Sequence, residues 1–501
     1  MKNISYLLGL TCLLGVLLYA CNESNLDLTP GTLTEGGFFQ DETQIDLAVL
    51  GTYAKLTDFY WYRGNDFVHD MRHLPGDDLT TLGDYPFETF GPLQPGTDDI
   101  GYFYQAAYEM VNRANTALQG IETAEEGTYQ TEGLQDTHRG EALFLRAYAY
   151  FNLWNYFGTA PLITERIQGG DELNNPNSQG NQLLDQAIED FTEATGLLPE
   201  SWDETNRGRV TANAARGFLG KALVFRATVN DAPADYTSAI TAFDQIEGRA
   251  LADHFKFNFS PEHENNIESL FEFQAGQSPT NDNVWLPNDF DAAVGSMSAY
   301  WGFFDGNFSL FGQLLFIPSP KLIETFEEDD PRVDFTFNPA DTTMTKYVFN
   351  DLKSNTGVGS LNNPRILRYA DVLLLKAEAL VASGGSTTEA IELVNQIRTR
   401  ARNSTDSTAS VVPANYDINQ TDRDTIMEWI MNERFLELVG EEAHRWFDLR
   451  RWHLGGRIDL VNWDFSSARS DFAFDVDTHL YFPIPSNEVD LNPNIVQNPG
   501  Y

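Results

Sequence analysis

The sequence predicts a mainly α fold: a helical-repeat scaffold with long loop-rich insertions forming a ligand-binding face. Three observations lead to it. The stretch from Arg368 to Ala401 reads as two helices joined by a turn. Tyr369, Leu373, Ala377 and Leu380 recur at helical spacing, and so do Ala390, Val394 and Ile397. Gly384 and Gly385 end the first helix, and Ser386 or Thr387 caps the second, with Glu389 near its start. Ala187, Phe191, Ala194 and Pro199 repeat part of the tetratricopeptide signature. Two segments, about 58–100 and 255–364, are too long and too aromatic for linkers.

In chain order, 38–56 reads as a first helix, with Ile45, Ala48, Val49, Tyr53 and Leu56 on one face. Helical repeats follow at about 102–121, 139–199, 211–247 and 366–401. A single pair cannot bury its own face, so the pairs must stack on one another. The first insertion, 58–100, is rich in Gly, Pro, Asp and aromatics. In the second, ESLFEFQAG (268–276) alternates like a short strand, and EEDDPRVDF is a charged turn. Asp422 to Arg451 is one long helix or two. The tail, 481–501, is extended and turn-like.

The chain has 501 residues, with 74 acids against 32 bases and a formal charge of −42. That balance argues against a nucleic-acid partner and, less strongly, against polyanionic substrates. The opening residues are a leader: Lys2, then an apolar run too short for a comfortable membrane span, then Leu18-Tyr19-Ala20-Cys21. Residues 1–20 are therefore expected to be a signal peptide, Cys21 a lipidated first residue, and 21–30 a polar tether. The only other cysteine, Cys12, lies in the leader, so the mature chain has no disulfide or thiolate metal cluster.

Several ordered stretches now carry a resemblance. They are the lipobox ending in Cys21, SNLDLTP, GGFFQDETQIDLAVLGTYAKL and RGEALFLRAYAYFNLWNYFGTAPLI. RYADVLLLKAEAL, AIELVNQIRTRA, IMNERFLELVGEEAHRWFDLRRW and YFPIPSNEVDLNPNIVQNPGY follow in order. Together they resemble the SusD/RagB family of Bacteroidetes outer-membrane lipoproteins. The resemblance implies one domain over 31–501 and a lipid-anchored position on the outer membrane, exposed to the outside. It also implies a SusC-like TonB-dependent transporter as partner and oligosaccharide or polysaccharide as ligand. RagB-like members take peptides or other nutrients, which keeps that alternative open.

Sugars offer apolar C–H faces and polar edges, so a site for them needs flat rings beside carboxylates, amides or Arg. The first insertion offers Trp61, Tyr62, Asn65, Arg72, Asp77 and Asp78; the second offers Trp285, Tyr300 and Trp301. The expected site is an aromatic platform of Trp61, Trp285 and Trp301 with Tyr62 and Tyr300. Asp77 and Asp78 would accept from sugar hydroxyls and Arg72 would donate. Phe303, Phe304, Phe308 and Phe311 are expected in the core.

Enzymatic readings fare poorly. There is no G-x-S-x-G elbow, His263-Glu264 lacks a second His, and RGFLGKAL has Ala222 where a phosphate loop needs Ser or Thr. No cofactor is implied. A structural Ca²⁺ at EEDDPRVD is the one metal considered; the segment lacks the EF-hand pattern and reads as a solvated charge run. The RRWHLGGR cluster reads as scaffold salt bridges. The charge balance favours a neutral glucan over an acidic polysaccharide.

Overall fold

The computed structural model describes residues 38–60, 62–63, 66–81, 83, 85–275, 301, 304, 316–348, 361–405, 409–465 and 471–501. Helix α1 spans Glu42–Tyr53, with the Asp41 carboxylate accepting from the Gln44 amide. It begins four residues later than the apolar pattern predicts, because this cap sets the first turn. The first insertion is not structureless. It holds a short hairpin, β1 (Tyr62–Arg63) with β2 (Asp66–Phe67), then α2 (Val68–His73) and β3 (Leu79–Thr81).

The repeats follow as expected: α3 (Asp98–Glu122), α4 (Leu134–Phe157), α5 (Gln182–Leu197), α6 (Ala212–Asn230) and α7 (Pro233–Asp244). Each packs on the next. Gly220 of α6 shows how closely: a Cβ there would sit 2.3 Å from the Phe243 ring of α7. The RGFLGKAL segment that fails as a phosphate loop is thus a packing surface, and its Lys221 pairs with Asp371 at 2.9 Å.

Strand β4 (Ser269–Glu272) is shorter than predicted and buried on both faces, so its apolar alternation is not that of a half-exposed strand. It pairs antiparallel with β6 (Arg365–Arg368). Between them, β5 (Phe316–Pro318) pairs with β3, and α8 spans Pro320–Thr325. The pair predicted at Arg368–Ala401 is α9 (Tyr369–Ala382) and α10 (Thr387–Asn403). Ser386 caps α10 through the Glu389 amide, and Gly384 takes φ +80°. Across the intervening insertion, α9 returns to pack on α6 and α7, which extends the stack. The 422–451 region is two helices, α11 (Arg423–Glu437) and α12 (His444–Leu454). They are separated by a turn in which Gly440, Glu442 and Ala443 have positive φ. The tail straps the end of α4: the Phe482 amide donates to the Tyr156 carbonyl, and Asn498 donates to the Phe157 carbonyl.

A chain of buried ion pairs runs through the last third. Arg368 contacts Glu268, Glu437 and Glu441 at 2.5–3.1 Å. Arg400 bridges Glu268 and Glu437, and Arg332 reaches Asp330, Glu433 and Glu437. The solvated reading of EEDDPRVDF holds for Glu327, Glu328, Asp329 and Asp334, which are exposed, and is corrected at Asp330, whose carboxylate is buried against Arg332; Glu327 also holds Arg398 at 2.6 Å. Among the described residues no group of three or more His, Cys, Asp or Glu is arranged to hold a metal ion. In RRWHLGGR, Arg451 pairs with Glu378 and Asp448, as a scaffold role requires. Arg450 instead lies over the rings of Trp154 and Tyr481 and donates to Asn155.

Removing one member of a buried ion network leaves the other charges unpaired in a medium that solvates them poorly. Arg368→Met is therefore expected to lower the free energy of unfolding by about 3–5 kcal/mol. Urea denaturation followed by far-UV dichroism measures it; a loss below about 1 kcal/mol would show that the network adds little net stability.

Candidate functional site

The two insertions leave the scaffold at one place. Tyr60, near the start of the first, stacks its ring on Phe273 of the second, 5.2 Å between centroids. The Tyr60 hydroxyl donates to Glu442 at 2.8 Å, and the Arg72 guanidinium lies 4.6 Å from the centre of the Tyr60 ring. Arg72 also donates to the second Glu442 oxygen, at 2.5 Å. The turn between α11 and α12 thus pins the first insertion at Tyr60 and Arg72, and Tyr60 in turn packs on Phe273 of the second.

The insertions are joined again further along. The β3–β5 ladder pairs Leu79 with Pro318 and Thr81 with Phe316. Beside it, Ser319 donates its amide to the Asp78 carbonyl and its hydroxyl to the Asp77 carbonyl. Trp301 stacks on Tyr347 with centroids 3.9 Å apart and donates its indole N–H to the Asn362 carbonyl at 2.9 Å. Phe304 packs against Trp301, His73 and Phe316. Burial, with the charges of Arg72 and Lys346, holds His73 near a pKa of about 3, so it is a neutral ring in this cluster.

Four expected ligand contacts are therefore internal. Trp301 is buried, as Phe304 is, and belongs to the aromatic base of the insertions. Arg72 is buried on Glu442 and Tyr60. Asp77 is fully buried; it takes Arg445, Lys321 at 2.5 Å and the Trp463 indole at 2.9 Å. Asp78 is also buried and accepts from the Gly440 amide. The acidic, glycine-rich look of this turn is that of a surface loop; the cations that bury it come from α8 and α12. Cys21, Trp61, Asn65, Trp285 and Tyr300 lie outside the described residues, with Phe303, Phe308 and Phe311. Tyr62 is described through its backbone, which pairs with Phe67. Glu442, Phe273 and Tyr347 are the positioning residues that sequence reasoning missed; the one signal was that Glu442 lies in IMNERFLELVGEEAHRWFDLRRW, a stretch that carries the family resemblance.

The adjacent aspartates titrate apart. Burial raises the Asp77 carboxyl, but Arg445 and Lys321 override it and bring it down to about 2. Burial and the Asp77 charge push Asp78 up to about 6. Among the clefts of the described surface, two bear on the insertions. One, of about 470 Å³, is lined by Leu50, Tyr53, Asn206, Phe273 and Gln274, beside the insertion roots. The other, of about 680 Å³, is lined by Phe326, Glu328, Asp329, Asp334 and Phe335.

Comparison with known proteins bears on this arrangement. Residues 326–501 match the family model described as SusD family, and residues 92–223 match one described as starch-binding associating with outer membrane. SusD-like protein P38 of Formosa agariphila is 27% identical, over 90% of this chain and 91% of its own. The fold is similar to that of surface glycan-binding protein A from Bacteroides thetaiotaomicron, with TM-score 0.73, 21% identity, and coverage of 93% of this chain and 100% of that one. It is also similar to a laminarin-binding SusD-like protein, with TM-score 0.69, 22% identity, and coverage of 92% and 100%. Among the described residues no helix is long and apolar enough to cross a membrane.

Asp78 carries a pH dependence of known sign. Its folded pKa of about 6 lies above the unfolded value of about 3.9, so the folded protein keeps a proton the unfolded chain releases. Stability from this group is complete below about pH 4 and falls as pH rises through about 6. Asp77 runs the other way: its contribution is present above about pH 4 and is lost as pH falls towards about 2. Asp78→Asn should stabilise the fold above about pH 6 and lose that advantage below about pH 4. Urea midpoints of both proteins at the two pH values check this; an increment independent of pH would contradict the assignment.

Proposed function

The chain belongs to the SusD/RagB family, and from that premise we propose that it is a non-catalytic glycan-binding lipoprotein of the outer-membrane surface. It captures an oligosaccharide or polysaccharide, a neutral glucan before an acidic one, and delivers it to a SusC-like TonB-dependent transporter. Cys21 carries the lipid anchor in this reading. The observation that supports it is the common rooting of the two aromatic insertions, at Tyr60–Phe273 and again at the β3–β5 ladder. Rings and polar side chains carried on both insertions then serve one ligand. Trp61 follows the pinned Tyr60 directly and is assigned, with Tyr62, Asn65, Trp285 and Tyr300, to the ligand contacts. Arg72, Asp77, Asp78 and Trp301 hold the base on which those contacts stand. The names of the laminarin-binding and surface glycan-binding neighbours support a carbohydrate ligand, and the charge of −42 favours a neutral one.

Affinity electrophoresis of the mature chain through neutral and anionic polysaccharides tests the reading. Retardation by a neutral glucan is expected, and Trp61→Ala or Trp285→Ala should abolish it without moving the thermal transition. Loss of the transition would make those rings part of the core. Failure of every glycan to retard the protein, with saturable binding of peptides instead, would transfer the function to peptide capture.

A further inference from the structure

We propose that the cleft beside the insertion roots is a second saccharide subsite, formed by the helical scaffold and taking an uncharged sugar unit of the same chain. The proposal rests on the glycan reading above and extends the ligand path beyond the insertions. The cleft runs from the last turn of α1 through the 205–209 loop to Phe273 and Gln274. It continues into a smaller recess of about 120 Å³ lined by Trp202, Arg249 and Asn265; the two share Gly208, Arg209 and Glu272.

The composition of the walls matches what a sugar presents. Leu56 and Phe273 are buried beneath the cleft, and Leu50 is 40% exposed at its lip. Trp202 stands in the recess, its indole N–H fixed on the Val210 carbonyl at 2.7 Å and the Arg209 guanidinium 4.9 Å from the ring centre. The polar groups are held in place but not exhausted. Asn265 and Gln274 exchange amide hydrogen bonds at 2.9 and 3.0 Å, which leaves Asn265 one N–H and one lone pair. Asn206 gives one N–H to Asp203 at 3.1 Å and retains the other, together with its carbonyl oxygen. Gly208 allows this packing: a Cβ there would lie 2.2 Å from the Gln274 side chain.

Apart from Arg249, the charges of the walls are paired with groups around them. Arg209 takes Glu141 and Asp46, each at 2.6 Å; Glu272 takes Arg365 at 3.0 Å; Arg207 takes Glu204 at 3.1 Å. Arg249 donates to the Asn266 carbonyl and has no ion pair with any described carboxylate. In a chain of charge −42, a cleft whose walls carry paired charges apart from Arg249, with an apolar floor and unfilled amide groups, suits a neutral polyol. The larger cleft is different in kind, because Glu328, Asp329 and Asp334 leave it acidic.

A ligand that reaches both regions must be longer than one that fills the insertion site alone, so chain length separates them. Titration calorimetry of the mature protein with neutral glucan oligosaccharides, from disaccharide upward, is the measurement. Thr205 is exposed at the cleft mouth, and Thr205→Trp should obstruct it; Asn206→Ala removes a hydrogen-bonding group. Each variant is expected to weaken the longest oligosaccharides by about tenfold and leave the shortest that bind unchanged. Unchanged affinity at every length in both variants, while Trp61→Ala abolishes binding, would overturn the subsite and leave the glycan reading standing. Failure of the wild-type protein to bind any neutral glucan would overturn both. Tighter binding of a sulfated oligosaccharide, lost in Arg249→Gln, would overturn the neutral assignment of the cleft.

Discussion

The Glu437 carboxylate is the contact on which the arrangement of the last third depends. It is buried at the end of α11 and receives Arg368 from β6, Arg400 from α10 and Arg332 from the 330 turn. Burial alone would raise its pKa; the three guanidinium groups bring it down to about 2 instead. Each arginine is in turn fixed by another carboxylate, so no member can move without unpairing a charge away from water. Four elements far apart in sequence are positioned by that requirement. The consequence reaches the candidate site through the turn that follows α11. There Glu441 holds Arg368 and Lys346, and Glu442, next in the chain, holds Tyr60 and Arg72. The root of the ligand face is thereby bonded to the most constrained part of the scaffold.

The helical repeats were legible because their signals are local. Apolar spacing, the Ser386 cap and the Gly384 stop lie within a few residues of what they determine. The stacking of α9 on α6 and α7 followed from the need of each pair to cover its neighbour's face. Charged partners are not legible in this way. Asp77 sits in a stretch of Gly, Pro and Asp, where a solvated turn is the natural reading. What buries it is Arg445 on α12 and Lys321 on α8, and nothing in the sequence around Asp77 announces either. Arg72 was misread for the same reason, its partner Glu442 lying on a distant turn. Trp301 shows the complementary difficulty: an aromatic in a turn-rich segment looks available until Tyr347 is found stacked on it. That both insertions interrupt the series of helical pairs was within reach of the sequence; the contacts that join them, Tyr60 on Phe273 and β3 on β5, were not.

The division of labour that results is physical. Residues near the roots are tied by ion pairs and ring stacks, so they set where the insertions emerge. In the reading proposed above Trp61, Tyr62, Asn65, Trp285 and Tyr300 carry the ligand contacts, while Trp301 and Phe304, further along the second insertion, belong with the roots.

Charge follows the same division and bears on the ligand. The largest fully buried side chains include Arg332, Arg365, Arg368, Arg434, Arg450 and Arg451. Most of these arginines neutralise carboxylates inside the fold. Buried acids match these buried cations, so the excess of 74 acids over 32 bases falls on the outer surface, and its field opposes approach of a polyanion. A neutral chain of hydroxyls does not meet that barrier. It needs flat apolar surface and fixed, incompletely satisfied donors and acceptors, and the cleft between Leu50, Asn206 and Phe273 provides them with its own charges already paired. The selectivity proposed for this protein therefore starts from the interior: the pairing that stabilises the scaffold also determines which ligands its surface admits.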